Sequence, residues 1–201
     1  MSNADNFVTR LPKGAPEHLR LDIPTAFGCQ TTAIEIISAV RSNSRLSRER
    51  QDIEIGAKLT AGPLAHLAQL RKRAEEGRAS AMNQRKVLRD RVLNSDALPE
   101  TRKQEVRQWF RGLPTPEKME WLRSGDEQIL EAVLGARYYL TGLPKEVWDA
   151  TVDSAVTARF GDALNQIGVL EKSYDEAIAA MQVVENAIVR ESSITPRRAA
   201  E

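Results

Sequence analysis

The last third of the chain carries a long apolar stripe. In FGDALNQIGVLEKSYDEAIAAMQVVENAI, Phe160, Leu164, Ile167, Tyr174, Ile178, Met181 and Ile188 recur at multiples or halves of a seven-residue repeat. That is the spacing of a helical a/d seam. Glu171 and Glu185 interrupt the seam, while Ala163, Leu170, Ala177 and Val184 widen it on one side. A stripe of that width suits a globular bundle or a partner's groove better than a strict two-stranded coiled coil. Val147, Trp148, Thr151, Val152, Ala155 and Val156 extend the apolar face upstream. One helix is therefore predicted over 144–190, with Gly161 as a kink point.

A second long helix is predicted over 63–93, restarted by Gly62-Pro63 with proline in the first turn. Its heptad positions are Leu64, Leu67, Arg71, Ala74, Arg78, Ala81, Arg85, Leu88 and Val92. They are apolar at the two ends and basic between. The two long helices together predict an antiparallel hairpin in which Arg71 or Arg85 meets Glu171 or Glu185.

Between them, 98–142 reads as short helices. Gly112 is expected to end the first in a Schellman-type turn. Thr115 and Pro116 are expected as N-cap and first residue of the next. Gly125 stops that helix, Asp126 caps another, and Gly142 ends it. Trp109-Phe110, Trp121 and Trp148 lie on apolar faces. They are expected to form the core of this cluster, with interface anchors as the alternative. Upstream, Ala33, Ile34, Ile37 and Val40 follow the helical period from Thr31, and Ser42-Asn43-Ser44 weakens its continuation toward Leu59.

Residues 1–30 contain Pro12, Pro16 and Pro24 with sparse apolar side chains, which predicts an extended arm. The division expected is an arm over 1–30, a helical domain over 31–190 and a tail over 191–201. The fold class is all-α: an elongated helical bundle with a long antiparallel hairpin, a compact cluster of short helices and an extended N-terminal arm.

Composition changes the picture little. Hydrophobic residues make up 41% and charged residues 28%, ordinary for a globular chain. The single Cys29 excludes an internal disulfide. No apolar run approaches the roughly 18 residues of a membrane span, and the N-terminus lacks a signal peptide's basic and apolar regions. Charge matters more. The net charge is −1 over 1–40, +8 over 41–111 and −6 over 112–201. Such polarisation implies either internal compensation or a partner of opposite sign. Arg41, Arg45 and Arg48 are spaced for one helical face, and Arg71, Arg78, Arg85 and Arg89 continue the basic belt. These seven are the candidate contacts for an acidic protein or for nucleic acid.

Catalytic patterns are absent from the sequence. His18, His66 and Cys29 are isolated, nothing resembles HExxH, CxxC or GxSxG, and the glycines do not cluster as a phosphate loop. Pairs such as Asp149/Asp153 have the spacing of a solvated helix face. No enzyme activity, metal or cofactor is expected.

The segment DEQILEAVLGARYYLTGLPKEVWDATVDSAVTARFG (126–161) resembles short helical proteins of tailed bacteriophages. The likeness lies in Ala132-Val133-Leu134-Gly135-Ala136, Tyr138-Tyr139, Leu140-Thr141-Gly142-Leu143 and the restart Pro144-Lys145-Glu146. It covers under a fifth of the chain and involves packing residues only. It implies a virion setting, with synthesis in the host cytoplasm. The expected function is a structural or assembly protein of a head, neck or tail assembly. Its expected partners are itself, as a homo-oligomer, and other structural proteins, with no membrane. The alternative is a nucleic-acid-binding helical protein using the Arg-rich 41–111 segment.

Overall fold

The computed structural model describes residues 3–192. Among them are nine helices and no strand: α1 (Asn3–Arg10), α2 (Glu17–Arg41), α3 (Arg48–Ala61), α4 (Pro63–Leu93), α5 (Glu100–Gly112), α6 (Thr115–Ser124), α7 (Glu127–Leu134), α8 (Tyr138–Thr141) and α9 (Lys145–Ser192). The chain is all-α. Its described residues divide into two compact units, one built from 3–81 and 168–192, the other from 82–167. The long helices α4 and α9 contribute to both.

In the first unit, α1–α3 surround the paired first part of α4 and last part of α9. The stretch predicted as an extended arm is helical. Phe7, Val8 and Leu11 sit one turn apart, and so do Leu19, Ile23 and Ala26. This helical period outweighs the prolines. Leu19, Ile23, Ala26 and Ala33 are fully buried, and Phe7 and Val8 pack on the same core. The Phe7 and Phe27 rings lie 6.1 Å apart. Pro16 precedes α2, where no amide is needed, and only Pro24 falls inside it. Pro24 leaves the Arg20 carbonyl without its usual amide; one residue on, the Thr25 hydroxyl donates to the Leu21 carbonyl at 2.7 Å. The weak point at Ser42-Asn43-Ser44 is a true break, and Ser47 Oγ caps α3 by accepting from the Arg50 amide.

The opening stripe is satisfied within the chain. In this unit Ala177, Ala180, Met181, Val184 and Ile188 of α9 are buried against Leu67, Leu70 and Ala74 of α4 and the apolar face of α2. Tyr174 and Ile178, predicted at the centre of the seam, lie half-buried at its edge. The centre belongs instead to the alanine side, because small residues let helices approach closely enough to exclude water. Tyr174 crosses α4 at Gly77, where a Cβ would meet its ring at 2.3 Å. Across the same pair Arg71 reaches Glu185 at 3.0 Å and Gln182 at 2.9 Å, and Arg78 reaches Asp175 at 2.6 Å. These contacts fix an antiparallel register in which Arg71–Glu185 is one of the pairings expected from charge.

The second unit encloses its own core of Val92, Phe110, Leu122, Ile129, Val133, Leu134, Leu143, Val152 and Val156. Ile167 is also buried, and Phe160 and Leu164 pack half-buried against the core. The kink of α9 falls at Phe160 (φ −133°, ψ 24°), one residue before the expected Gly161. Asp126 caps α7 as predicted, its Oδ1 accepting from the Ile129 amide at 3.0 Å. The Schellman ending at Gly112 does not form. Gly112 stays helical and Leu113 follows in extended geometry, since Pro114 pushes its predecessor out of the helical region. Thr115 and Pro116 are consequently the first two helical residues, with Pro114 in the cap position. The single helix expected from Asp126 to Gly142 is instead two: α7 ends at Leu134, and Gly142, at φ 70°, ends only the short α8, in the left-handed region that glycine adopts freely.

Replacing a mid-helix glycine by alanine ordinarily stabilises by about 1 kcal/mol. Gly77→Ala is expected instead to lower stability by about 1 kcal/mol, since the Tyr174 ring must move. In a Tyr174→Ala background the same change is expected to raise stability. Urea midpoints of the four chains check the reversal.

Candidate interaction surface

The predicted basic contacts do not share one face. Arg41 is the last residue of α2 and pairs with Asp52 at 2.5 Å. Arg45 lies in the connection that follows, and Arg48 opens α3. The three therefore do not line a single helix, because Ser47 starts a new one. Arg71 and Arg78 are engaged with α9 carboxylates as described. Arg89 bridges Asp153 at 2.8 Å and Asp149 at 3.1 Å, and Lys145 also reaches Asp149 at 2.5 Å. The hydrogen bond from Lys145, helped by its charge and that of Arg89, holds Asp149 below the usual carboxylate range. Arg85 lies exposed on α4. Much of the belt thus joins α4 to α9 of the same chain.

The exposed aromatic residues were the sharper signal. Phe110 takes the core position of the Trp109-Phe110 pair at 0% exposure, while Trp109 and Trp121 remain 45% and 40% exposed. Helical geometry explains the exchange. Neighbouring residues lie 100° apart, so α5 turns Phe110, the half-buried Val106 one turn before it and Lys103 two turns before it inward, and Trp109 outward. The two indoles meet edge to face, centroids 5.5 Å apart and planes at 74°, the geometry that aligns a ring edge with a neighbour's π face. They wall a slot of about 380 Å³ whose other lining residues include Arg102, Glu105, Asp126 and Ile129. Arg102 is paired with Glu105 at 3.0 Å. Trp148, by contrast, is half-buried and its Nε1–H finds no acceptor among the described residues. On α8, Tyr138 and Tyr139 form a second exposed edge-to-face pair with centroids 5.6 Å apart.

A polar contact that the sequence pattern did not disclose braces this unit. Glu131 and Lys103 are both nearly buried, 3.3 Å apart. Glu131 Oε1 also accepts from the Leu98 amide at 2.7 Å, and Lys103 donates to the Ser95 carbonyl. The pair thereby clamps the 94–99 connection to α7 and α5. Burial pushes the Glu131 carboxyl upward, but the Leu98 and Lys103 hydrogen bonds outweigh it and leave it below the usual range. The only sequence signal was two opposite charges on otherwise apolar helix faces.

Glu131 also lines an apolar pocket of about 430 Å³ with Val92, Leu130, Leu134, Ala155, Glu127 and Arg159. Its carboxylate is already committed to Lys103 and is not a spare acid or base. Among the described residues no group of three or more His, Cys, Asp and Glu side chains is arranged to hold a metal. No described helix is long and apolar enough to cross a membrane. Burial pushes the Cys29 thiol up, away from the reactive thiolate. The exposed Trp109–Trp121 slot is the surface whose residue types are best suited to recognition.

Glu131→Ala strands a nearly buried ammonium and is expected to destabilise by about 3 kcal/mol. Because the folded carboxyl titrates below its unfolded value, its contribution is complete above the unfolded pKa and fades as pH falls through the folded one. Chemical denaturation from neutral to acidic pH checks both: the gap between wild type and Glu131→Ala should narrow on acidification. No family model, curated protein or solved structure matches the chain.

Proposed function

We propose that the protein is a structural or assembly component that works by protein–protein contact, in an oligomeric head, neck or tail assembly of a bacteriophage virion. The Trp109–Trp121 pair carries the reading. Leaving large apolar side chains half-exposed forgoes burial worth about 1.5–3 kcal/mol each when complete. Trp is also the residue type most enriched among binding hot spots. A helical frame with a buried Phe110 beneath holds the pair in place, so little side-chain freedom is lost on docking. The phage setting rests on the resemblance over 126–161.

The nucleic-acid reading draws less support. Arg71, Arg78 and Arg89 already meet carboxylates of α9, and phosphates would have to compete with those ion pairs.

Light scattering coupled to gel filtration tests the reading. The wild-type chain is expected to elute as a multiple of the monomer mass, and Trp109→Ala with Trp121→Ala is expected to lower that mass at unchanged helicity. A chain that stays monomeric at every concentration overturns it.

A further inference from the structure

We infer that the Trp109–Trp121 slot receives an arginine from the α2–α3 connection or the first turn of α3 of a second copy of this chain, joining copies head to tail. The inference rests on the reading of the slot as an interface and names its occupant.

The slot is suited to a cation. Two indoles set at 74° offer ring faces whose quadrupoles attract positive charge. The cation that lines it, Arg102, is already matched by Glu105. That leaves the Asp126 carboxylate, on the slot wall, without a cation of its own among the described residues. The surrounding stretch 113–136 carries five carboxylates against two cations, Lys118 and Arg123. Lys118 is buried over the Phe110 ring. A guanidinium fits such a site better than an ammonium, because it is planar, stacks on aromatic faces and sheds water more readily.

The same chain supplies the guanidinium. Arg45, Arg48 and Arg50 are exposed, and their side chains form no ion pair or hydrogen bond among the described residues. Of the nearby carboxylates, Asp52 is paired with Arg41 and Glu54 with Lys58, which leaves Glu49. Arg41, Arg71, Arg78 and Arg89 each have acidic partners. Lys86 and Arg91 of α4 are also exposed without an ion pair among the described residues, but Arg45, Arg48 and Arg50 are the three arginines that cluster. Slot and arginine cluster are different surfaces, so their contact is heterologous. Repeated from copy to copy, it closes a ring or extends a filament.

Two variants test this in the full chain. One removes the slot, Trp109→Ala. The other reverses the arginine cluster, with Arg45→Glu, Arg48→Glu and Arg50→Glu together. Each alone is expected to be monomeric by analytical ultracentrifugation. Mixed in equal amounts they are expected to form a dimer and nothing larger, because one sound slot then meets one sound cluster. Should Trp109→Ala lose helicity, Asp126→Asn serves in its place; asparagine keeps the α7 cap, and self-association is expected to weaken by about fivefold through loss of one ion pair. An arginine-reversed chain that assembles like wild type overturns the inference and leaves the interface reading standing. So does a mixture that stays monomeric beside an assembling wild type. A monomeric wild type overturns both.

Discussion

The fold depends on one contact repeated along two helices: α4 running antiparallel to α9, with small residues at its centre and arginine–carboxylate pairs along its edge. In the first unit Ala74 and Gly77 of α4 face Ala177, Ala180 and Tyr174 of α9. Alanine surfaces bring helix axes close, and that proximity lets Leu67, Leu70, Met181 and Val184 exclude water. The glycine is explained by the ring that lies on it. Its helix propensity is poor, and only a residue without a Cβ leaves room for Tyr174.

The ion pairs contribute in a different way. Arg71, Arg78, Glu185 and Asp175 are all more than a third exposed, where a single pair contributes little to stability. Their role is in register. A helix pair with a small-residue centre tolerates sliding by a turn, and a slide would take Arg71 from Glu185 to Val189 or Met181. The basic middle and acidic end of the chain are therefore largely one feature seen twice. Among the charges the pairing does not neutralise are Arg45, Arg48 and Arg50, where α2 gives way to α3, and their excess suits an intermolecular partner.

The second unit solves another problem, a cluster of short helices around a modest core. Short helices bury few side chains each, so connections must be held by other means. Glu131 does this for 94–99, bonding an amide and an ammonium at once. Arg111 does it for α8, donating to the Leu140 carbonyl at 2.6 Å. With the backbone so braced, α5 and α6 can present Trp109 and Trp121 outward without loss of order.

The sequence alone determined the all-α class, the span of α4 and the Asp126 cap, and it narrowed the pairing of α4 with α9 to a few arginine–glutamate combinations. These follow from periodicity, cap chemistry and glycine geometry, which act over a few residues. Tertiary structure decided the rest. The prolines of residues 1–30 suggested an arm, but burial of Leu19, Ile23 and Ala26 made α2. The heptad rule pointed to Tyr174 and Ile178, but close approach favoured the alanine side. Trp109 was expected inside and stands outside, because of two adjacent aromatics on one helix only one can face the core, and neighbouring helices settle which. Arg41, Arg45 and Arg48 had the spacing of one face until Ser47 began a new helix. Local pattern states which residues can share a face. Which face is covered depends on contacts far apart in the chain, and these enter only when the helices pack.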